Sequence, residues 1–356
     1  MDGPVFVTGG SGFLGSAIVE RLVGDGREVR ALARSTDAAT ALGALGARAV
    51  PGDLFDRAAL LDGMRGCDTV FHLAGVNAMC ARDPGEMLRV NVEGAAGVVR
   101  IAAAAKVRRV VATSSAAAIG EPAGVTARED TPHRGTFLSE YERSKFVGER
   151  RMMALGEALD LPVVCVNPAS VQGPGRLQGS ARLLLGIVNG RFPVLVNTWL
   201  SVVDIRDCTS AHLLAESHGV PGRRYLVSGA SIDLRAAVHL LRAVCGRPAR
   251  VWFAPRGLAT LAGFAGGTAG RLLRSDPQVC PEAIRTLLHG HRFDGSRAER
   301  DLGLRYTPLE ETVRTTLAWY AARDLGPAPL DRAEGRAPGD RMGRGSRAFR
   351  ASPRSR

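Results

Sequence analysis

An open, doubly wound α/β fold, with helices on both faces of a mostly parallel sheet, is predicted by three observations. Short apolar runs alternate with longer amphipathic ones through the first half of the chain, the pattern of repeated strand–helix–strand units. A glycine-rich loop, "VTGGSGFLGS", follows the first apolar run and opens the first helical one. From about residue 170 the alternation loosens into a mixture of helices and short strands. That change predicts a smaller C-terminal lobe whose segments interleave with the last strands of the sheet.

In chain order, the apolar runs predict strands at 4–9, 28–33, 47–53, 68–74, 108–115 and 161–168. Between the first two, Phe13, Leu14, Ala17, Ile18 and Leu22 recur at helical spacing. The alanine-rich stretch 84–107 reads as one long buried helix. Further on, 222–229 reads as a strand, and 232–245 and 279–290 as helices. A dinucleotide-binding domain is thus expected at 1–170, with 195–230 partly returning to it, and an interleaved substrate lobe at 171–325. Beyond Gly326, Pro, Gly, Arg and Ser dominate, and 326–356 is expected to be a disordered tail.

The net charge of +12 raises the question of nucleic acid. However, the last 26 residues carry eight arginines against three acids, and no basic patch interleaves with aromatics. A solvated basic surface is the better account, with no nucleic-acid partner. The lipophilic stretch 257–270 is too short and too rich in small residues to span a bilayer. The N-terminus lacks the basic and apolar regions of a leader. Six cysteines without metal-like spacing argue against a zinc site and a disulfide scaffold, and fit a reducing, cytoplasmic setting. His289 and His291 are the one close histidine pair, and no metal is expected. A homodimer is compatible with such a chain.

The loop after the first strand places Gly9, Gly12 and Gly15 in a GxxGxxG pattern. Glycine there permits a tight turn, lets backbone approach a pyrophosphate at the helix N-terminus, and lets helix pack closely on strand. At the end of the second strand, Ala33 stands where an acid would bind the ribose hydroxyl of NAD, and Arg34 follows. An arginine suits the 2′-phosphate of NADP, which is therefore the expected cofactor, with NAD as the alternative.

"YERSK" sets Tyr141 four residues before Lys145. With four tyrosines and two lysines in 356 residues, chance supplies about 0.02 such spacings. On a helix over 139–158 the two side chains share a face. A nearby ammonium is expected to lower the tyrosine pKa towards useful proton transfer. Among other candidates, His72 reads as a packed core residue. Asp204 and Asp207 read as helix caps or positioning groups. Nothing assigns His133 a function.

Taken in order, "TGGSGFLG" (8–15), "GDL" (52–54), "HLAG" (72–75), "NVEG" (91–94), "TSS" (113–115), "YERSK" (141–145) and "NPASVQGP" (167–174) resemble the extended short-chain dehydrogenase/reductase family. Its members include dihydroflavonol reductases, 3β-hydroxysteroid dehydrogenases and nucleotide-sugar epimerases. The resemblance spans roughly residues 3–322 and implies a Rossmann-type sheet. It implies that Gly9, Gly12, Phe13, Leu14 and Gly15 hold the dinucleotide, Asp53 and Leu54 the adenine, and Ala74 and Gly75 the cofactor at the end of the fourth strand. Asn167 and Pro168 would border the nicotinamide, and Ser114 would support the cofactor. Lys145 would also reach the nicotinamide ribose, and Ser115 would hold the substrate oxygen. Asn91 would play a structural or water-binding role behind the site.

Two departures matter. Ile119 stands where the nucleotide-sugar branch commonly has a tyrosine, and "TSSAAA" lacks the acid pair of sugar 4,6-dehydratases. The expected activity is therefore reduction of a ketone or aldehyde of a small-to-medium organic substrate, by hydride transfer from NADPH. Tyr141, Lys145 and Ser115 are the expected catalytic set. The competing expectation is a nucleotide-sugar epimerase or dehydratase with tightly bound cofactor, for which Arg176, Arg182 and Arg191 offer cations to a diphosphate.

Overall fold

A computed structural model describes residues 3–81, 83–246, 251–260 and 280–330. Seven strands form the central sheet: β1 (Val5–Thr8), β2 (Val29–Ala33), β3 (Arg48–Pro51), β4 (Thr69–His72), β5 (Arg109–Thr113), β6 (Val163–Pro168) and β7 (Arg224–Val227). Their spatial order is β7-β6-β5-β4-β1-β2-β3, and every pairing is parallel. Strands covered on both faces can be apolar throughout, which is why β1 and β6 read as continuous hydrophobic runs. One face is covered by helices Phe13–Gly24 and Ile205–His218, around Ile18, Leu22, Phe71 and Ala211. The other is covered by helices Arg57–Met64 and Ala95–Ala104, with Met152 of helix Glu140–Ala158, around Phe6, Leu60 and Val98.

The winding direction reverses between β1 and β4, so the loops leaving these strands diverge and leave a crevice at their C-terminal ends. The second lobe is built on a three-stranded sheet of Ser170–Gln172, Trp199–Asp204 and Ala230–Asp233. Its own core gathers Ile187, Leu234, Val238, Leu241, Leu317 and Tyr320.

Three expectations need correction. The stretch 84–107 is not a uniform α-helix, because Arg89–Gly94 forms a π-helical turn between α-helical segments. Asn91, within that turn, is pressed against helix Glu140–Ala158. There Gly148 leaves room: a Cβ on it would lie 2.2 Å from the Asn91 carbonyl oxygen. Residues 232–233 finish a strand, and the helix starts at Leu234 because the Asp233 carboxylate accepts the amide hydrogen of Ala236.

The third correction concerns the cysteines. Cys80 and Cys280 are joined in a disulfide that ties the loop after β4 to the start of helix Pro281–His289. Two cysteines 200 residues apart carry no spacing signal of their pairing. No described helix is long and apolar enough to cross a membrane. Residues 261–270 of the lipophilic stretch and 331–356 of the expected tail lie outside the described residues.

Candidate active site

Backbone geometry sets the glycine loop. Gly9 is left-handed (φ 73°), and a Cβ there would lie 2.6 Å from the Ala74 amide nitrogen. The loop after β1 and the loop after β4 therefore touch at a position only glycine can fill. Gly15 is as constrained, since its Cβ would lie 2.0 Å from the Gly9 carbonyl oxygen. Gly12 sits at the helix N-cap without a side chain to cap it, so the first-turn N–H groups around Phe13 and Leu14 face outward. That cradle fits a pyrophosphate. Behind it, Thr8 Oγ1 bonds His72 Nδ1 at 2.8 Å and accepts the Ala74 N–H at 3.3 Å. His72 is buried, and burial, followed by the Lys145 charge, drives its pKa down to about 3. It is a neutral core residue, as its apolar strand suggests.

The ends of β2 and β3 lie together, with the Gly52 amide donating to the Ala33 carbonyl. Ala33 is buried, and Arg34 is exposed with no hydrogen bond or ion pair among the described residues. Asp37 lies in the first turn of the following helix, which Ser35 caps. Asp53 accepts the amide hydrogens of Phe55 and Asp56 through Oδ1 and stays exposed. Leu54 packs beside Gly94.

Ser115 follows β5 and caps the 3-10 turn Ala116–Ile119, its Oγ accepting from the Ala117 amide. Tyr141 and Lys145 lie one turn apart on helix Glu140–Ala158, which Ser139 caps. The Tyr141 phenol is influenced first by burial, which raises its pKa, while Ser115 and then the Arg176 guanidinium pull it back. The Lys145 ammonium reaches the Thr113 carbonyl at 3.5 Å, and burial pulls it down to about 8 against the support of Glu149 and Cys165. The expected lowering of the tyrosine by the lysine is thus not what acts here. The groups that favour the phenolate are Ser115 and Arg176, and burial outweighs them.

Two asparagines lock the surroundings. Asn91 accepts from the Val76 amide and donates to the Val76 carbonyl, both at 2.8 Å, and also donates to Ser144 Oγ at 2.9 Å. Ser144 donates in turn to the Tyr141 carbonyl. A Cβ on Gly75 would lie 3.1 Å from both Asn91 Oδ1 and Lys145 Nζ, so the loop after β4 runs directly past the lysine. Asn167 donates to the Ser115 carbonyl at 3.0 Å and to the Glu149 carboxylate, which also accepts from Arg224. Pro168 ends β6 beside it. The Ser114 hydroxyl and Asn167 Oδ1 are buried without a partner among the described residues. A carboxamide, with both a donor and an acceptor, has the chemistry to satisfy these two orphaned groups.

A cleft of about 1270 Å³ runs from Ser11, Gly12 and Phe13 to Asn77, Pro174 and Arg176. Arg176 stacks near the Phe13 ring, and its Nε is buried without a partner among the described residues. The charge of the same guanidinium lowers the pKa of the Tyr141 phenol. No pattern in the sequence relates Arg176 to the tyrosine. Glu149 was findable, since it lies on the face of Tyr141 and Lys145 one turn further on. Asp204 caps helix Ile205–His218, Asp207 accepts from Thr307, and His133 packs against Phe137 and Phe146.

The family model described as NAD dependent epimerase/dehydratase family matches residues 5–228. Sterol demethylase protein B of Methylococcus capsulatus is 33% identical over 90% of this chain and 98% of its own length. A putative dihydroflavonol 4-reductase of Synechocystis is 29% identical, over 88% and 94% of the two chains. The 2-alkyl-3-oxoalkanoate reductase of Shewanella oneidensis is 32% identical, over 84% and 81%. Among solved structures, gox2253 superposes with a TM-score of 0.80 at 27% identity, over 92% of this chain and all of its own. A UDP-glucuronic acid 4-epimerase from Bacillus cereus, in complex with UDP-glucuronic acid and NAD, shares the fold (TM-score 0.71, 18% identity, 90% and 99% coverage).

Proposed function

Since the chain belongs to the NAD dependent epimerase/dehydratase family, we propose that it reduces a ketone or aldehyde of a small-to-medium organic substrate with NADPH. It is an NAD(P)-dependent enzyme of the extended short-chain dehydrogenase/reductase type. What carries the reading of proton delivery to a carbonyl oxygen is that Tyr141 and Lys145 lie one turn apart on one helix, with the buried phenol in its protonated form. Relatives named as reductases of a 2-alkyl-3-oxoalkanoate and of a dihydroflavonol support a carbonyl substrate. Arg34, exposed and unpaired among the described residues beside buried Ala33, supports NADPH.

The nicotinamide, when bound, supplies the hydride to the carbonyl carbon. Gly9, Gly12, Phe13, Leu14 and Gly15 would hold the pyrophosphate, Arg34 the 2′-phosphate, and Asp53 and Leu54 the adenine. Ala74, Gly75, Ser114, Asn167 and Pro168 would line the nicotinamide side. Tyr141 gives its phenolic proton to the substrate oxygen while Ser115 donates a hydrogen bond to the same atom. Lys145 would hold the ribose, and the Arg176 guanidinium stabilises the phenolate left on Tyr141. A small-molecule partner goes with this reading.

The nucleotide that copurifies tests it. Exchangeable NADPH, consumed one for one on mixing with a carbonyl substrate, is expected. Tightly held NAD that does not exchange would replace this reading with that of a nucleotide-sugar epimerase.

A further inference from the structure

Away from the cleft, three side chains from distant parts of the chain converge. Glu121 follows the 3-10 turn that Ser115 caps, His289 ends helix Pro281–His289, and His291 precedes the strand Arg292–Phe293. That strand pairs in parallel with Thr126–Ala127, which fixes the register and brings the histidine pair to the glutamate. The His291 amide donates to the Trp199 carbonyl, and its carbonyl accepts from Ser201 Oγ. Gly290 between them is left-handed (φ 69°), and a Cβ there would lie 2.9 Å from Thr198 Oγ1. Backbone thus presents both imidazoles to one carboxylate.

The geometry is that of a ligand set. His291 Nδ1 is hydrogen-bonded to Glu121 Oε1 at 2.7 Å, His289 Nε2 lies 3.5 Å from the same oxygen, and one ligand atom from each of the three residues lies within 4.8 Å of the others. Glu121 is 1% exposed and the His289 side chain 7%. Yet Glu121 Oε2 and His289 Nε2 have no hydrogen-bond partner among the described residues. Buried polar atoms are ordinarily paired, so two orphaned donor atoms in one cluster point to a ligand they share. The nearby guanidiniums are directed elsewhere: Arg134 donates to the Glu121 carbonyl, Arg256 to that of Leu288 and Arg292 to that of Gly124. A cavity of about 360 Å³, lined by Thr198, Trp199 and His289 among others, opens beside the cluster with room for water.

We propose that Glu121, His289 and His291 bind a divalent transition-metal ion of the zinc class, completed by water from the adjoining cavity. Two imidazole nitrogens and a carboxylate oxygen are a donor set that zinc takes with an open fourth position. The ion would pin lobe residues 281–293 to the loop that leaves Ser115. Helix Pro281–His289 would then be anchored at both ends, by the Cys80–Cys280 disulfide at its start and by the metal at its end. Binding requires neutral imidazoles, so it releases whatever protons they carry.

The full chain, stripped with chelator and assayed without thiols or cofactor, should bind one Zn²⁺ by calorimetry and unfold at higher temperature as ZnCl₂ is added. His289→Ala and His291→Ala should each weaken binding by about 100-fold, an estimate from the loss of one of three protein ligands. Turnover at saturating NADPH need not change. Should either variant fail to fold, Co²⁺ on the unaltered protein decides: visible bands of a nitrogen/oxygen site are expected, without thiolate charge-transfer absorption. Absence of Zn²⁺ binding, undiminished binding in both histidine variants, or a thiolate signature would each overturn the proposal.

Discussion

The cofactor half and the second lobe bring their functional groups together by different means. Around the glycine loop, position is a property of backbone: Gly9 meets Ala74, Gly15 meets Gly9, and Gly148 meets Asn91, each too closely for any side chain. In the lobe and at its seam, position comes from side chains distant in sequence. Cys80 and Cys280 are joined, Tyr306 accepts from Ser228 and donates to Gly295, and Glu121 gathers two histidines. Substitutions in the first region should therefore act on cofactor and chemistry, and those in the second on stability.

The largest effect is expected from Tyr141→Phe, which should lower kcat by about 10²–10⁴ with NADPH affinity nearly unchanged, measured by steady-state rates and nucleotide titration. Gly9→Val should abolish nucleotide binding and lower stability as well, because the side chain meets the Ala74 backbone in a left-handed conformation; fluorescence titration and denaturant unfolding report both. Cys80→Ser works on the other region. It should cost about 2–5 kcal/mol of stability in denaturant titrations, with kcat much less altered. A collapse of kcat with stability intact would erase the distinction drawn between the two regions.

Arg34→Ala should raise the Kd for NADPH by about 10- to 100-fold while leaving NADH nearly untouched, from the loss of a charge-assisted phosphate contact. The smallest effect is one of pH. Lys145 has its pKa lowered from 10.5 to about 8, so the free enzyme carries the ammonium below that pH and loses it above. The value of kcat/KM for the cofactor should accordingly fall as pH rises through about 8. In Lys145→Met it should be low and without that limb.

Legibility in the sequence followed the same division. The GxxGxxG loop and the alternation of strands and helices are local patterns, and Tyr141 and Lys145 need only one helical turn to meet, so the Rossmann-type sheet was readable. Glu149 lies one turn beyond Lys145, and only its partners Asn167 and Arg224 required the fold. The π-helical turn at Asn91 was hidden because an extra residue in a helix leaves no mark on composition. Pairings across the lobe seam join residues separated by 200 positions for the cysteines and 170 for Glu121 and His291. No periodicity reports such distances. Arg176 was visible as a cation, but its place in the cleft depends on how the segment after β6 folds.

Net transfer of hydride to the substrate is tested most directly by a single turnover with NADPH carrying deuterium at both nicotinamide C4 positions. With a ketone substrate, one deuterium is predicted on the new carbinol carbon for each NADPH oxidised, and none with Tyr141→Phe on the same timescale. Product without deuterium, formed at an unchanged NADPH concentration, would contradict net hydride transfer.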